Sequence, residues 1–273
     1  MAKDFHELPR LCDSISYLYA EHCVVEQEDS SIILLKKDGK IAVPVASTTC
    51  LMLGPGTNIT HTAVKILSEN GCLVVWCGER GSRFYASGMG ETRSAQNTLM
   101  QAKLCMDESA HTEVVKRMYE RRFPKLPKQD YTVQQLRGME GIRMKEAYRT
   151  MARMTGVIWK GRDYKTTDWE SADPINHALS IANTLLYSVV QAAVISLGYS
   201  TALGFVHTGK MLSFVYDVAD LYKTQTTIPA AFETVKNNSD MFRLDSDVRL
   251  ECRKRFESIQ ILKKDSGGYS LDF

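Results

Sequence analysis

Two aspartates lie three residues apart in the segment LSFVYDVADLY, and their immediate neighbours are apolar or aromatic. On a helix this spacing places Asp217 and Asp220 on one face. Two carboxylates in an apolar setting are costly, because burial and mutual repulsion both oppose ionisation unless a cation compensates. A divalent metal ion is the simplest such cation. His207, ten residues before Asp217 in GFVHTGK, lies in a turn bracketed by Gly204 and Gly209 that could direct its imidazole to the same place.

A third acid, Glu140, lies in the helical segment QLRGMEGIRM between Gly138 and Gly141. Glycine inside a helix costs up to about 1 kcal/mol relative to alanine, so two glycines beside one acid indicate that something large approaches the backbone there. An acid among cations suits a metal site beside a phosphate backbone, because oxygens bind the ion and cations bind the nucleic acid. The surrounding cations are Arg137, Arg143, Lys145 and Arg149.

Each pattern has an alternative interpretation. A lone histidine is more often a core or surface residue than a ligand, an acid pair on a helix is often solvated, and Glu140 alone is typical of an ion pair. The chain has no G-x-x-x-x-G-K-[ST] loop, no G-x-S-x-G turn and no zinc-ligand spacing, which removes support for P-loop, α/β-hydrolase and structural-zinc classes. Spacing alone predicts a helical protein with a Glu/His/Asp divalent-metal site that acts on nucleic acid.

The charge distribution along the 273 residues is uneven. The net charge is only +2, and the 44% hydrophobic and 24% charged content is that of an ordinary globular protein. Residues 116–165, however, contain fourteen Lys and Arg against five Asp and Glu, which is +9 and leaves −7 for the rest. This basic span indicates a polyanionic partner, although a solvated helix face is the alternative.

The elements that must position these residues differ between the two parts of the chain. Up to about residue 90, short segments rich in Val, Ile, Leu and Tyr predict a compact, mostly antiparallel β domain, with a hairpin at Asp38-Gly39. A short helix in THTAVKILSENG has Thr60 as its expected N-cap and Gly71 just past its end. The predicted strands are SISYLY, CVVEQ, SIILLKK, KIAVPV, TCLML, CLVVWC and RFYASG.

After Gly90 the apolar spacing becomes helical in several long segments. The predicted fold class is therefore α+β with two domains, a β-sandwich-like domain at 1–90 and an all-α catalytic domain at 91–273 that ends in a short flexible tail. The predicted helical segments are 96–123, 132–156, 175–198, 209–223 and 245–264.

The composition also predicts a reduced, cytoplasmic environment without a membrane span. Seven cysteines, mostly beside apolar neighbours and without a C-x-x-C pair, are typical of buried thiols, and the N-terminus carries no secretory signal. Residues 174–209 lack Asp, Glu, Lys and Arg, yet polar side chains recur at helical spacing from Asn176 to Gln191. This pattern predicts a buried helix, one face of which lines a water-accessible region, rather than a membrane helix.

Several long motifs resemble one protein family. The segments QLRGMEGIRM, DWESADPINHALSIANTLLY and GFVHTGK with LSFVYDVAD are similar to the CRISPR-associated integrase, the larger catalytic subunit of the spacer-acquisition complex, in the Cascade-associated type I-E subtype. LMLGPGTNITHTAVKI, CLVVWCGERGSRFYASG and LMQAKLCMDE extend the resemblance over residues 8–262. It implies an N-terminal β-sandwich-like domain and a helical C-terminal domain.

The resemblance also implies site residues. Metal ligands fall on Glu140, His207 and Asp220, with Asp217 as the additional catalytic acid. The resemblance places Tyr187 towards the active site, Lys210 and Arg83 along the DNA path, Tyr164 near the recognition of the protospacer-adjacent motif and His22 as the duplex-end wedge. With the cations around Glu140, the predicted DNA-binding residues are Arg83, Arg137, Arg143, Lys145, Tyr164, Tyr187, Lys210 and His22.

The implied reaction is attack of a prespacer 3′-hydroxyl on a phosphodiester at the edge of a CRISPR repeat, supported by Mg²⁺ or Mn²⁺. The implied partners are double-stranded prespacer and repeat DNA, a second copy of the chain in a homodimer, and the smaller CRISPR-associated adaptation subunit. Two alternatives remain open: a metal-dependent, structure-selective DNA nuclease, and a non-catalytic DNA-binding scaffold.

Overall fold

The computed structural model of the protein describes residues 18–48, 50–78, 84–88, 90, 95–123, 131–162, 173–237 and 241–259. The chain forms two compact units. One contains the described residues up to Thr98 together with Ser188–Tyr199, and the other contains Leu99–Tyr187 with the described residues from Ser200 onward. The sequence predicts a single domain boundary at residue 90. In the structure, the described part of the chain passes between the two units three times, at residues 98/99, 187/188 and 199/200.

The first unit contains two four-stranded sheets, ordered β1-β5-β7-β8 and β4-β3-β2-β6. Its strands are β1 (Leu18–Ala20), β2 (Val24–Glu28), β3 (Ser31–Lys36), β4 (Gly39–Val43), β5 (Cys50–Leu53), β6 (Asn58–Ile59), β7 (Leu73–Cys77) and β8 (Phe84–Gly88). All seven predicted strand segments overlap a described strand. The two-residue β6 was missed because it is too short to show an alternating pattern.

The expectation of a mostly antiparallel domain is wrong. Of the six strand pairings among the described residues, β1 with β5, β5 with β7 and β2 with β6 are parallel. Parallel neighbours need a crossover connection, and helix α1 (His61–Glu69) supplies it between β5 and β7. The predicted hairpin is present, with Lys36 paired to Gly39 across the β3–β4 turn.

Helix α1 begins and ends as the sequence predicts. The Thr60 hydroxyl accepts a hydrogen bond from the backbone N–H of Ala63, and Gly71 has the left-handed φ of 66° expected just beyond a helix end. The helix packs its apolar face with both sheets into one core. That core includes Val25, Ile32, Leu34, Leu51, Leu53, Ala63, Ile66, Leu67 and Val74.

The helices after residue 95 are α2 (Gln96–Met106), α3 (Glu108–Arg122), α4 (Val133–Thr155), α5 (Pro174–Ser196), α6 (Ser213–Ala219), α7 (Thr227–Asn237) and α8 (Met241–Ser258). The predicted continuous segment 96–123 is interrupted at Asp107, whose carboxylate caps α3 by accepting from the N–H of Ala110. Helix α7 was not predicted. Its Pro229 lies in the first turn, where a missing N–H is tolerated.

Helix α4 carries Glu140 and has well-defined ends. Thr132 and Gln135 form a reciprocal capping box at its start, and Gly156, with φ of 76°, ends it in the left-handed conformation. The helix therefore holds Glu140 near its middle on a rigid element of 23 residues.

Several polar residues along α5 are hydrogen-bonded to other protein groups. Arg162 donates to the carbonyl and side-chain oxygens of Asn176 and to Ser180, while the Thr227 hydroxyl donates to Asn183. Burial of these groups is tolerated because they are hydrogen-bonded to other protein groups. Only one residue of the predicted polar stripe, Tyr187, belongs to the candidate site described below.

One described helix segment, Pro174–Ile195, is long and apolar enough to cross a membrane by length and composition. Its most apolar window is 65% buried inside the protein, as in the core helix of a folded domain. The cysteines were predicted to be buried, reduced thiols. The six described cysteines are free, and five of them are buried.

Candidate active site

The site is organised around Asp217 in α6, which is completely buried. Its Oδ2 accepts hydrogen bonds from the backbone N–H groups of Phe205 (2.6 Å) and Val206 (3.0 Å). Its Oδ1 accepts from the backbone N–H of His207 (2.8 Å) and contacts Nδ1 of the same residue at 2.7 Å. Four donors thus replace water around this carboxylate. Asp217, predicted to be a catalytic acid, has both oxygens engaged within the protein and holds the loop at 205–207 in place.

Gly204 is required at the start of that loop. A Cβ atom there would overlap the carbonyl oxygen of His207 and lie 2.7 Å from the Cβ of Ser213. Gly209 closes the turn with a φ of 80°, a conformation that favours glycine. The two glycines bracket His207 as the sequence predicts.

His207 is fixed in one tautomer by these contacts. Because a carboxylate can only accept, the proton of a neutral imidazole must lie on Nδ1, which leaves the Nε2 lone pair free. Nε2 lies 3.8 Å from Oδ2 of Asp220, and 43% of the side chain is exposed. The ring of Tyr216 packs edge-on against the imidazole, with centroids 5.9 Å apart. Histidine metal ligands commonly show this arrangement, with a carboxylate orienting the opposite nitrogen.

Asp220 follows the last residue of α6 and is bound by a lysine. Lys223 Nζ lies 2.7 Å from Asp220 Oδ1 and 5.0 Å from the centroid of the Tyr187 ring, which in turn contacts Tyr216 edge-on. Burial opposes the charge on Lys223, but Asp220 and Tyr187 together raise its pKa above the ordinary value. Lys223 is therefore a fixed cation at neutral pH.

Glu140 faces two arginines. Oε1 lies 4.0 Å from Arg122 NH1, and Oε2 lies 3.6 Å from Arg143 NH1. Burial raises the pKa of Glu140, while Arg122 and Arg143 lower it and Asp220 raises it further. The Glu140 carboxylate is therefore close enough to Asp220 for the two negative charges to interact.

Arg122 links the two acids. Its side chain is 1% exposed, with NH2 lying 4.0 Å from Asp220 Oδ2 and donating to the carbonyl oxygen of Asp217 at 3.0 Å. Among the described residues, four buried side-chain polar atoms lack a hydrogen-bond partner, and three of them are here: Arg122 Nε, Glu140 Oε2 and Arg143 NH1. The unsatisfied polar atoms are thus concentrated around Glu140 and the two arginines that face it.

The side chains of Glu140, Asp220 and His207 are of the types that bind a divalent cation. Glu140 offers a buried oxygen without a hydrogen-bond partner, Asp220 offers a second carboxylate, and His207 presents Nε2, the nitrogen opposite the one held by Asp217. Within the described part of the chain, however, no three His, Cys, Asp or Glu side chains lie close enough to hold a metal ion together. The protein cations Arg122, Arg143 and Lys223 balance the carboxylates instead. The assignment of Glu140, His207 and Asp220 as ligands stays a prediction.

The predicted DNA-binding residues have different surroundings. Lys145 and Lys210 are exposed, and Arg137 is exposed but donates to the carbonyl of Val206 beside the site. Arg143 is half-buried and donates to the Thr224 hydroxyl in addition to its contact with Glu140. The basic span is therefore not entirely a phosphate-facing surface, because Arg122 and Arg143 face the acids.

Three other predicted DNA-binding positions are in different parts of the chain. His22, in the first unit, is exposed at the turn after β1 and has a left-handed φ of 51°. Its ring lies over Gly56, where a Cβ would approach Nδ1 to 2.5 Å. Arg83 and Tyr164 lie outside the described residues. No described contact tests the DNA role of any of these three residues.

Sequence reasoning missed Arg122, Lys223 and Tyr216 as members of the site. Lys223 had a usable signal, since it follows Asp220 by three residues and so shares its face on a helical turn. Arg122 had none, because it is far from the acids in sequence and is one of fourteen basic residues in its span.

The chain matches the family model described as CRISPR associated protein Cas1, over residues 16–128 and 118–260. It is 47% identical over 263 residues to the CRISPR-associated endonuclease Cas1 2 of Thermus thermophilus, covering 96% of this chain and 80% of that protein. It is 42% identical over 255 residues to the CRISPR-associated endonuclease Cas1 of Escherichia coli, covering 93% of this chain and 83% of the relative.

The fold agrees with this relationship. The crystal structure of a TtCas1–DNA complex superposes with a TM-score of 0.82 at 46% identity, covering 90% of this chain and 87% of that chain. The β-rich N-terminal region and the helical C-terminal region described above are those of this fold. From the family match, the sequence identities and the fold together, the chain belongs to the CRISPR-associated Cas1 family.

Proposed function

We propose that the protein is a metal-dependent DNA integrase of CRISPR adaptation, which joins the 3′-hydroxyl ends of prespacer DNA to the repeat of a CRISPR array. The observation that carries this proposal is the relation of His207 to its two aspartates. Asp217 holds the ring through Nδ1 at 2.7 Å, and the free Nε2 faces Asp220 at 3.8 Å. Relatives at 40–47% identity are named CRISPR-associated endonucleases, which agrees with phosphodiester chemistry at this site.

The residues that would hold Mg²⁺ or Mn²⁺ are Glu140, His207 and Asp220. When bound, the ion supplies Lewis-acid stabilisation of the charge that develops on a non-bridging phosphate oxygen. The protein's own contribution is to fix these groups in advance. Asp217 orients His207, and Arg122 keeps Glu140 and Asp220 on either side of one guanidinium.

The reaction conserves the number of phosphodiester bonds. A new bond forms between the prespacer 3′-oxygen and the repeat phosphorus, and the bond from that phosphorus to its original 3′-oxygen breaks. The attacking hydroxyl loses its proton, and the departing 3′-oxygen gains one. No enzyme nucleophile and no nucleotide cofactor are needed, which agrees with the lack of a P-loop or nucleophile-elbow motif in the sequence.

Several finer assignments belong to the same proposal. We infer that the protein binds duplex prespacer and repeat DNA, as the TtCas1–DNA complex indicates for its relative. We also infer a homodimer that works with the smaller adaptation subunit, a cytoplasmic location, and membership of the Cascade-associated type I-E subtype. Tyr187, Lys210, Arg137 and Lys145 are the described residues that we assign to the DNA path.

The same site could use water as the nucleophile, which would make the protein a nuclease. A supercoiled plasmid bearing a CRISPR repeat, incubated with labelled duplexes and Mn²⁺, separates the two reactions. We expect label to become covalently attached to the plasmid with 3′-hydroxyl ends and not with 3′-dideoxy ends. Plasmid cleavage that is equal with both ends, with no attached label, would favour the nuclease. Neither joining nor cleavage, despite DNA binding, would favour the scaffold.

A further inference from the structure

The side chain of Gln101 in helix α2 is buried although it is polar. It is 2% exposed, whereas its apolar neighbours Leu99 and Met100 are 68% and 58% exposed. The hydrophobic effect favours the reverse orientation for a helix at a protein surface, and a buried amide is costly unless its polar atoms are hydrogen-bonded. The hydrogen bonds of Gln101 therefore explain the orientation of this part of α2.

Gln101 binds the backbone of the connection between α5 and α6. Its Oε1 accepts from the N–H of Ser200 at 2.8 Å, and its Nε2 donates to the carbonyl oxygens of Ser200 at 3.0 Å and Leu203 at 2.8 Å. Residues 200–212 form neither helix nor strand, so their backbone groups need other partners. One carboxamide supplies three such hydrogen bonds and thereby fixes residues 200–203.

The same segment is bonded to the start of α6. The carbonyl oxygen of Thr201 accepts from the N–H of Phe214, in the first turn of that helix, at 2.9 Å. Cys105 follows Gln101 by about one helical turn in α2, and its Sγ lies 3.7 Å from the carbonyl oxygen of Leu203. This segment therefore contacts both α2 and α6.

Residues 200–203 lead directly into the loop that carries His207. Gly204 is closely packed at the junction, because a Cβ atom there would overlap the carbonyl oxygen of His207. The backbone N–H groups of residues 205–207 converge on the carboxylate of Asp217. Because hydrogen bonds weaken steeply with poor geometry, a shift of residues 200–203 would disturb these contacts and move the imidazole.

We propose that Gln101 is a positioning residue for the strand-joining reaction. It fixes residues 200–203, so that the following loop reaches Asp217 and the Nε2 of His207 faces Asp220. This inference rests on the proposed function, since it concerns the same site. The alternative is that Gln101 stabilises the fold without any effect on the geometry of His207.

Gln101→Met tests the proposal, because it removes the three hydrogen bonds and keeps the approximate length of the side chain. We expect its rate of strand joining at saturating duplex to fall at least about ten-fold, since small displacements of catalytic groups slow a reaction strongly. Duplex affinity should be unchanged. In metal-free protein labelled with nitrogen-15 histidine, the ring signals of His207 should move from their parental positions.

Gln101→Glu is a second variant with nearly the same shape. It keeps an acceptor for the N–H of Ser200 but loses both donated hydrogen bonds. We expect the rate of strand joining and the His207 ring signals to change in the same direction as in Gln101→Met. This variant decides the question if Gln101→Met does not fold.

Asn176→Leu is the matched control. Asn176 is also a buried carboxamide, 3% exposed, and it donates to the carbonyl oxygen of Gly161 at 3.0 Å. Its replacement should lower the free energy of unfolding in urea, as Gln101→Met does. Strand joining and the His207 ring signals should nevertheless keep their parental values, because Asn176 does not bind residues 200–207.

Parental joining and parental His207 signals in the folded Gln101 variants would overturn the proposal. An equal loss of joining in Asn176→Leu would also overturn it, because the loss would then follow from reduced stability. If neither Gln101 variant folds, Gln101 has a folding role and the proposal fails. If the parent protein never joins ends, the proposed function fails, whereas the His207 signals of Gln101→Met still test the role of Gln101.

Discussion

The carboxylate of Asp217 binds His207 twice, accepting its backbone N–H at 2.8 Å and contacting its ring Nδ1 at 2.7 Å. The same carboxylate accepts two further backbone N–H groups from the loop before it. One buried acid therefore determines both the position of the histidine and the tautomer of its ring. The second aspartate, Asp220, has a different role, since it is partly exposed and faces the free Nε2.

Asp217→Asn should separate positioning from folding. The asparagine oxygen can still accept from the N–H groups of Phe205 and Val206. Its amide group, in place of Oδ1, would donate to Nδ1, move the imidazole proton to Nε2 and leave the His207 backbone N–H without its acceptor. We expect strand joining to fall at least about 100-fold and Mn²⁺ affinity to fall, with the fold retained. Nitrogen-15 NMR of the His207 ring should report the change of tautomer.

Asp217→Ala is the comparison for that variant. It leaves three backbone N–H groups buried without an acceptor, so the free energy of unfolding should fall by about 3 kcal/mol or more. If Asp217→Asn kept the Nδ1-protonated tautomer and full activity, the orienting role of Asp217 would be refuted.

Arg122→Met should destabilise the protein strongly. Removal of one partner from a buried charge cluster leaves uncompensated charge, which costs about 3–5 kcal/mol. The control is Arg117→Met on the same helix, because Arg117 pairs with Glu113 on the surface, where an ion pair contributes less than about 1 kcal/mol. Urea unfolding measures both variants. Equal losses in the two would show that Arg122 does not hold the acids.

His207→Ala should weaken Mn²⁺ binding without loss of duplex affinity. Electron paramagnetic resonance of free Mn²⁺ gives the metal affinity directly, and we expect it to fall about ten-fold or more, since one of three ligands is lost. Strand joining should stop when the parent protein is treated with EDTA and return when Mn²⁺ or Mg²⁺ is added. His177→Ala is the histidine control, because His177 pairs with Asp245 outside the site. An equal loss of Mn²⁺ affinity in both variants would contradict the ligand assignment.

The buried thiols predict an alkaline limit to stability. Burial raises the pKa of Cys72 to about 12 from an ordinary value of 9.0, although a backbone hydrogen bond near Leu51 partly opposes the shift. The folded state therefore retains a proton that the unfolded state loses. The stabilisation is fully present below about pH 9 and is lost as pH rises towards 12. Cys72→Ala should show a shallower loss of unfolding free energy over this range, and parallel curves would contradict the assignment.

Much of the fold followed from local patterns. Alternating apolar residues located the strands, and Thr60 and Gly71 located the ends of α1, because these signals depend on neighbours in sequence. The parallel pairings of β5 were not predictable in the same way, since the crossover through α1 depends on packing between distant segments. The apolar Pro174–Ile195 helix was correctly expected to be buried, but the contacts of its Asn176 and Ser180 with Arg162 could not be read from local spacing.

For the candidate site as well, local features could be predicted from the sequence and contacts between distant segments could not. The spacing of Asp217, Asp220 and His207 and the cost of burying the two acids predicted that these residues share one site. In the structure, His207 contacts both aspartates. Spacing alone could not distinguish a ligand from an orienting residue, because that difference depends on which backbone groups surround each carboxylate. Nor could it reveal that Arg122, within a span expected to bind phosphate, is buried between Glu140 and Asp220.

The most direct test of the central claim is half-site integration by the protein, with and without the smaller adaptation subunit. A labelled duplex with 3′-hydroxyl ends and a supercoiled plasmid bearing a CRISPR repeat are the substrates, with Mn²⁺ present. We predict covalent transfer of label by the parent protein and loss of transfer in Asp220→Ala, with duplex affinity unchanged in that variant. Transfer by Asp220→Ala at the parental rate would contradict the account.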